Sequence, residues 1–132
     1  MKKLFFIFIL LFALTSCNQS DNKQIKLGKQ EIKENVRFKL FPTENIWTFL
    51  KLDTSNGKIW QVQYAINDSN RGEVELNRQA LVSGDAVANG RFTLYPTKNM
   101  YNFILLDQID GKMWQVQWSI EEDNRIVIPM QY

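Results

Sequence analysis

Residues 37–71 of this chain are repeated as residues 91–125, with about half of the aligned positions identical. The two copies read RFKLFPTENIWTFLKLDTSNGKIWQVQYAINDSNR and RFTLYPTKNMYNFILLDQIDGKMWQVQWSIEEDNR. They share their turns, their aromatic positions and the sequence Trp-Gln-Val-Gln. The fold is therefore expected to consist of two copies of one small unit.

Each copy has the pattern of short antiparallel strands separated by turns. In the third predicted strand of the first copy, Trp60, Val62 and Tyr64 point to one side of the sheet. Gln61 and Gln63 alternate with them, and this period of two is typical of a half-buried strand. The same alternation recurs in the second copy, so we predict four strands in each repeat.

The fold class follows from the turns and from the absence of a helical pattern. An Asn-Gly or Asp-Gly pair, ending at Gly57 and at Gly111, predicts a tight hairpin in each repeat. A unit of about fifty residues without a disulfide or a metal is marginal alone. We therefore predict an all-β, antiparallel fold in which two four-stranded repeats, residues 37–76 and 91–130, share one core as a pseudo-two-fold sandwich or flattened barrel.

The register of the hairpin decides which face of each sheet is buried. With a loop from Thr54 to Gly57, the rings of Trp47 and Tyr64 lie on the same side and form an aromatic core face. With a three-residue turn and a glycine bulge, Trp47 lies beside Gln63 and forms an exposed aromatic and amide surface. Cross-strand aromatic pairs stabilise a hairpin by up to about 1 kcal/mol each, which favours the first register.

The N-terminal residues have the pattern of a secretory signal. Lys2 and Lys3 precede the uncharged run of residues 4–14, which is shorter than the roughly 20 residues of a transmembrane helix. The ending Leu-Thr-Ser-Cys resembles the lipobox of bacterial lipoproteins. This resemblance implies cleavage before Cys17, which then carries a diacylglyceryl thioether and an acylated amine. Asn18 implies the outer membrane, on its periplasmic or its cell-surface face, and a signal peptide with a chance cysteine is the alternative.

The chain is thus predicted to have three parts. Residues 1–16 are the lipoprotein signal peptide, and residues 17–36 are the lipidated cysteine and a polar tether. Residues 37–132 form a single β domain. Several acyl chains on one cysteine are enough for stable membrane attachment.

The composition excludes several classes of function. The chain has no histidine, and its single cysteine is the predicted lipid attachment site. We therefore expect no disulfide, no metal site built on Cys or His, no cysteine nucleophile and no histidine base. Without Lys2 and Lys3, the 16 basic residues become 14 and equal the 14 acidic residues, so nothing favours nucleic acid binding. We also expect no cofactor.

Two glutamine pairs are the polar residues with the clearest binding potential: Gln61 with Gln63, and Gln115 with Gln117. An amide offers both a donor and an acceptor to sugar hydroxyls. Beside aromatic rings, these amides suit a glycan or another envelope polymer. The simpler interpretation, which we favour, is that they occupy solvent-facing positions of half-buried strands or satisfy neighbouring backbone groups.

Charged residues also recur between the repeats. Arg37 and Arg91 open the two copies and can bind a carboxylate or a phosphate, although arginine at the start of a strand is usually surface charge. Arg71 and Arg125 lead into the last strands. Four carboxylates are candidates for acid and base catalysis, of which the first two more often cap their turns: Asp53, Asp107, Glu121 and Glu122.

Two further resemblances bear on these alternatives. The segment LDTSNGKIW is partly similar to the quinoprotein propeller repeat, but Trp60 stands one residue closer to Gly57 than that repeat requires. Two units also cannot close a ring of four to eight blades, so quinone binding is not implied. The double FxLYPTxN and GKxWQVQ pattern is similar to a group of small repeat lipoproteins of Gram-negative bacteria, which implies no activity.

The sequence leads to one preferred function and two rivals. The preferred function is a lipid-anchored, non-catalytic envelope module that binds a glycan or envelope polymer or has a structural role. The first rival is a protein-binding inhibitor or immunity-type factor, which presents a sheet edge or an apolar patch to another envelope protein. The second is a small hydrolase that depends on carboxylates.

Overall fold

The structure, a computed structural model, describes residues 36–131. These residues form the eight strands β1 Phe38–Pro42, β2 Thr48–Asp53, β3 Ile59–Gln63, β4 Gly72–Glu75, β5 Phe92–Pro96, β6 Asn102–Asp107, β7 Met113–Gln117 and β8 Ile126–Pro129. Short 3-10 turns lie at Asp68–Asn70, Gly84–Ala86 and Glu122–Asn124. Within the described range, no helix is long and apolar enough to cross a membrane. The predicted signal peptide, Cys17 and all but the last residue of the predicted tether lie outside the described residues.

The strands form two four-stranded antiparallel sheets in sequence order, β1-β2-β3-β4 and β5-β6-β7-β8. Each sheet is therefore one repeat, folded as a simple meander. This confirms the predicted all-β, antiparallel fold with two four-stranded repeats. The two sheets pack as an open sandwich and are not closed into a barrel.

The hairpin between β2 and β3 has the favoured register. The backbone N–H of Asp53 donates to the carbonyl of Lys58 at 2.9 Å, and Gly57 has a φ of 79° in the intervening turn. Trp47 and Tyr64 consequently lie on one side of the sheet, with ring centroids 5.3 Å apart. The predicted cross-strand aromatic pair is confirmed.

Each sheet has two faces, which we call front and rear. The front face carries the aromatic positions of the repeat and the rear face carries the alternating positions. The front face of the first sheet consists of Phe38, Leu40, Trp47, Phe49, Lys51, Trp60, Val62 and Tyr64. Its equivalent in the second sheet consists of Phe92, Leu94, Tyr101, Phe103, Leu105, Trp114, Val116 and Trp118.

The core lies between the rear face of the first sheet and the front face of the second. Leu50, Leu52 and Ile59 of the first sheet are fully buried, and so are Phe92 and Leu105 of the second. One continuous hydrophobic cluster contains all of these side chains. The two sheets therefore use non-equivalent faces, whereas a two-fold arrangement would bring equivalent faces together.

This front-to-rear packing corrects the prediction that the aromatic face is the core face of both repeats. The prediction is right for the second repeat, in which Trp118 is 1% exposed. It is wrong for the first repeat, in which the equivalent Tyr64 is 45% exposed. Each sheet of a two-layer sandwich covers only one of its faces, and the first sheet covers its rear face, so its aromatic face stays open.

Thr54 joins the two repeats. Its N–H donates to the carbonyl of Arg37 at 2.7 Å, and its carbonyl accepts from the N–H of Phe92 at 2.8 Å. Its hydroxyl donates to the carbonyl of Val36 at 2.7 Å and accepts from the N–H of Gly90 at 2.9 Å. The turn of the first repeat is thus bonded to the start of both repeats.

Candidate functional site

A cleft lies at the end of each sheet, beside the 3-10 turn that follows the third strand. The first cleft has a volume of about 390 Å³ and is lined by Trp47, Gln63, Tyr64, Ile66, Asn67 and Asn70. The second has a volume of about 500 Å³ and is lined by Tyr101, Gln117, Trp118, Ile120, Glu121 and Asn124. These residues occupy equivalent positions in the two repeats.

A groove connects the two clefts. It has a volume of about 390 Å³ and is lined in part by Gln61, Gln63, Asn70, Arg71, Ile120 and Arg125. Gln63 and Asn70 line both the first cleft and the groove, and Ile120 lines both the groove and the second cleft. The three concavities are therefore neighbours that share lining residues, and we call them together the track.

Aromatic rings are exposed at both ends of the track. Trp47 and Tyr64 are both exposed in the first cleft. In the second cleft Tyr101 is exposed, while Trp118 is buried beneath it and its indole N–H donates to the carbonyl of Met100 at 2.9 Å. Each cleft thus offers an accessible ring next to side-chain amides.

Three of the four predicted glutamines line the track. Gln63 is exposed, whereas Gln61 is buried and its side-chain oxygen accepts from the N–H of Ser119 at 3.3 Å. Gln117 is half-buried and donates to the carbonyl of Asn124 at 2.9 Å. Gln61 therefore satisfies a backbone group and does not face solvent, because the rear face of the first sheet is the covered one.

Gln115 lies apart from the other three glutamines. It is half-buried on the rear face of the second sheet, opposite Ile104 in the strand register. Its amide donates to the side-chain oxygen of Asn102 at 2.9 Å. The sequence placed Gln115 and Gln117 in one pair, but the structure places only Gln117 on the lining of the track.

Arg91 is engaged inside the protein. Its guanidinium is buried, and its Nη2 lies 2.8 Å from a carboxylate oxygen of Asp107 and 2.7 Å from one of Asp110. Nη1 donates to the carbonyl of Ala86 at 2.8 Å. Arg91 therefore holds the turn of its own repeat and does not line the track.

Arg37 makes the equivalent ion pair at the start of the first repeat. Its Nη2 lies 3.1 Å from Oδ2 of Asp53, and its Nε donates to the same oxygen at 3.2 Å. The Arg37 side chain is largely exposed, whereas its carboxylate partner is buried. The two arginines thus serve the same turn position, with different degrees of burial.

The two buried aspartates are capping groups of their turns. Burial by itself would raise the pKa of Asp53, but hydrogen bonds from Ser55 and Arg37 outweigh it and hold the pKa below its usual value. Burial likewise opposes ionisation of Asp107, and the hydrogen bonds from Arg91 and from the N–H groups of the turn lower its pKa. Both side chains act as charged hydrogen-bond acceptors in the folded protein.

Carboxylates are sparse along the track. The second cleft contains Glu121, the groove contains Glu73, and the first cleft contains none. Asp53 and Asp107 line none of these three concavities. Within residues 36–131, no group of three or more His, Cys, Asp or Glu side chains is placed to hold a metal ion.

Sequence reasoning missed the asparagines and isoleucines of the two clefts. The repeated Ile at positions 66 and 120 and the repeated Asn-Arg at positions 70 and 124 were the available signals. Arg71 pairs with Asp68, while Arg125 donates to the carbonyls of Ser119 and Ile120 at 2.9 Å each. Both arginines line the groove, so the repeated Asn-Arg sequence marks the track better than the arginines that open the repeats.

Comparison with known proteins gave no match to a family model, to a curated protein or to a solved structure.

Proposed function

We propose that this protein is a lipid-anchored, non-catalytic envelope lipoprotein whose β domain binds a hydroxyl-rich polymer, such as a glycan, along the track. The observation that carries this proposal is that two equivalent clefts each share lining residues with the groove between them. Equivalent residues line the clefts at both ends of the track, so the track suits a polymer whose chemical units repeat along its length. A single small molecule would need only one of these concavities.

The side chains of the track match the chemistry of sugars. Amides such as Gln63 and Asn70 can both donate to and accept from hydroxyl groups. The exposed rings of Trp47 and Tyr101 offer flat apolar surfaces for the C–H faces of sugar rings. Neutral polar groups with exposed rings thus dominate the two clefts.

The middle of the track can also bind an anionic substituent. Arg71 and Arg125 line the groove from different repeats, and guanidinium groups form strong bonds to carboxylate and phosphate oxygens. Glu73 lines the same groove and offsets one of the two arginines, so the net charge of the groove is modest. We therefore expect a neutral or weakly acidic polymer rather than a highly charged one.

The distribution of carboxylates supports a binding role over a hydrolase. Glycoside hydrolysis requires two carboxyl groups that flank the scissile bond, separated by about 5 to 10 Å. No cleft of the track has more than one carboxylate, and Asp53 and Asp107 are bonded within their turns.

The lipid anchor rests on the lipobox resemblance at Cys17 and has its own test. Metabolic labelling with a palmitate analogue should mark the wild-type protein and not the Cys17→Ala variant. The polymer can then reach the β domain while the protein stays attached to the outer membrane. Label on the Cys17→Ala variant would refute this attachment.

The binding proposal is tested with the purified chain and a panel of immobilised envelope polymers, including peptidoglycan, lipopolysaccharide and capsular glycans. A lost hydrogen bond of about 0.5 to 1.5 kcal/mol predicts that Gln63→Ala weakens binding roughly twofold to tenfold. Trp47→Ala and Tyr101→Ala should each weaken binding, because each removes the exposed ring of one cleft. Val87→Ala, in the connector between the repeats, is the control and should bind like the wild type. Failure of the wild type to bind any polymer would refute the proposal.

A further inference from the structure

We propose that copies of this protein associate head to tail, with the front face of the first repeat of one copy packed on the rear face of the second repeat of the next. The inference does not depend on polymer binding, although Trp47 and Tyr64 belong both to the open front face and to the first cleft. Its template is the interface within the chain. That interface already packs a front face on a rear face of the same repeated sequence.

The open faces carry side chains whose equivalents are buried in the internal interface. Leu40, on the open front face, is 61% exposed, whereas its equivalent Leu94 is 3% exposed in the core. Tyr95, on the open rear face, is exposed, whereas its equivalent Phe41 packs against the core. Both open faces therefore keep the apolar character of an interface.

The open front face carries several exposed apolar side chains beside one ion pair. Phe38, Leu40, Trp47 and Tyr64 are exposed large hydrophobic side chains. Lys51 and Glu73 lie on the same face and pair with each other. Exposed apolar side chains grouped on one face mark an interaction surface. On the open rear face, Tyr95 on β5 and Ile128 on β8 are exposed at opposite edges of the sheet. The two patches lie on different sheets, so they can meet only between copies.

The hairpin turns of the two repeats also differ, because one is covered and the other is open. The turn of the first repeat is buried under the connector, where Leu81 lies against Gly57 and its N–H donates to the carbonyl of Asn56 at 2.8 Å. At the equivalent Gly111 no neighbour lies within 4 Å of the position a Cβ would take, and nearby Ile109 is 63% exposed. The first turn is therefore covered within the chain, whereas the second turn is open.

The internal junction also indicates which backbone atoms would meet. Within the chain, the N–H of Phe92 donates to the carbonyl of Thr54 at 2.8 Å. In the other repeat, the N–H of Phe38 is equivalent to the N–H of Phe92, and the carbonyl of Gln108 is equivalent to the carbonyl of Thr54. In the head-to-tail complex these two atoms, from different copies, form the corresponding hydrogen bond.

The symmetry of this contact determines the assembly. A heterologous contact joins two different surfaces, so it produces a ring if the rotation closes and a filament if it does not. Rings of radially packed four-stranded sheets contain about four to eight sheets. Since each chain supplies two sheets, we expect rings of about two to four copies.

Polymer binding and self-association are compatible. In the second repeat the front face is already covered by the first sheet, yet Tyr101 stays exposed and the second cleft stays open. Covering the front face of the first repeat in the same way would leave the first cleft open. An assembly would therefore carry several tracks.

The test uses the full-length chain, produced in the bacterial envelope with two different affinity tags and extracted in mild detergent. One tag is captured and the other is measured. Leu40→Asp places a carboxylate on the front face only, and Tyr95→Asp places one on the rear face only. A buried unpaired carboxylate costs more than the 1.4 kcal/mol that corresponds to a tenfold change. When both tagged chains carry the same substitution, we expect capture to fall at least about tenfold.

The decisive arm combines the two variants. A Leu40→Asp chain keeps an intact rear face and a Tyr95→Asp chain keeps an intact front face. Together they can form one intact contact, so the mixture should recover capture as a complex of two chains. Val87→Asp, on the exposed connector, is the control and should capture like the wild type. Thermal unfolding of each variant, followed by circular dichroism, checks that the fold is intact.

Each other outcome overturns the proposal. Absence of wild-type capture would mean that another partner, such as the N-terminal segment or lipid, covers these faces. Capture that persists in both single-variant pairs would mean that the chains share only a detergent micelle. Loss in the single-variant pairs without recovery in the mixture would mean that equivalent faces meet.

Discussion

Lys51 and Leu105 occupy equivalent positions in the two repeats, and Leu105 is fully buried whereas Lys51 lies on the open front face between Leu40 and Trp60. The Lys51 ammonium pairs with Glu73 and lies 4.5 Å from the centroid of the Trp60 ring. In the covered face this charge would be removed from water, at a large cost in free energy. The difference between these two residues therefore favours the second aromatic face in the core, and a contact between copies has to accommodate the Lys51–Glu73 pair on the open face.

The unequal burial of the two front faces predicts unequal effects of truncation. Leu105→Ala leaves a cavity in the core and should lower the free energy of unfolding by about 2 to 5 kcal/mol. Leu40→Ala, on the open front face, should change it by no more than about 0.5 kcal/mol in the isolated chain. Urea unfolding of both variants measures the difference. Equal losses would mean that both faces are packed to the same extent.

The repeat, the strands and the hairpin register were predictable from the sequence because each depends on local signals. The period of two in the third strand and the glycines of the turns require only neighbouring residues. Which faces meet was not predictable from these signals, because apolar residues occupy both the front and the rear positions of the repeats. The available clues were the charged front positions of the first repeat, Lys51, Glu73 and Glu75. Their equivalents in the second repeat are Leu105, Val127 and Pro129.

The hydroxyl of Thr54 should be a measurable support of the junction between the repeats. Thr54→Val keeps the shape of the side chain but removes the acceptor for the N–H of Gly90. An unsatisfied buried donor costs about 1 to 3 kcal/mol, and the amide of Gly90 should exchange with deuterium faster. Thr97→Val is the matched control, because Thr97 is exposed and water can replace its hydrogen bonds. An unchanged exchange rate at Gly90 would contradict this role.

The candidate site was predictable only in part, for a similar reason. Gln63 and Gln117 were identified because a strand does not need amide side chains to form, so amides that recur in both repeats indicate another role. Arg37 and Arg91 were selected by repetition alone, and repetition cannot separate a ligand contact from an ion pair within the fold. Their partners lie sixteen positions away in the chain, and only the fold brings the groups together.

The buried aspartates predict a loss of stability in acid. The pKa values of Asp53 and Asp107 are lower in the folded protein than the value of about 3.9 for an unfolded aspartate. Their contribution is therefore complete above the unfolded pKa and is lost as the pH falls through the folded pKa. We expect the free energy of unfolding to be flat from pH 7 to about 5 and to fall steeply below about 4.

The contribution of Asp107 to this acid transition can be isolated by substitution. Asp107→Asn should lower stability at neutral pH, because the buried Arg91 loses one of its two charged partners and keeps only Asp110. The same variant should show a shallower fall in acid, because one of the two low-pKa groups is gone. Asp85→Asn, at an exposed position of the connector, serves as control and should follow the wild-type curve. An equally steep fall in Asp107→Asn and the wild type would contradict the assignment.

The two turn glycines should respond differently to the same substitution. Gly57 and Gly111 both have a positive φ, so alanine strains the backbone at either position. At Gly57 the added methyl would also lie 2.9 Å from the side chain of Leu81, whereas at Gly111 no neighbour lies within 4 Å. Overpacking of this kind typically costs a further 1 to 3 kcal/mol or so. Gly57→Ala should therefore lower the free energy of unfolding of the isolated chain more than Gly111→Ala does.

A double-mutant cycle separates strain from overpacking at Gly57. In a Leu81→Ala background the clash is absent, so Gly57→Ala should cost only the backbone strain and match Gly111→Ala. The coupling between positions 57 and 81 in urea unfolding then measures how tightly the connector covers the first turn. Zero coupling would mean that the connector shifts freely.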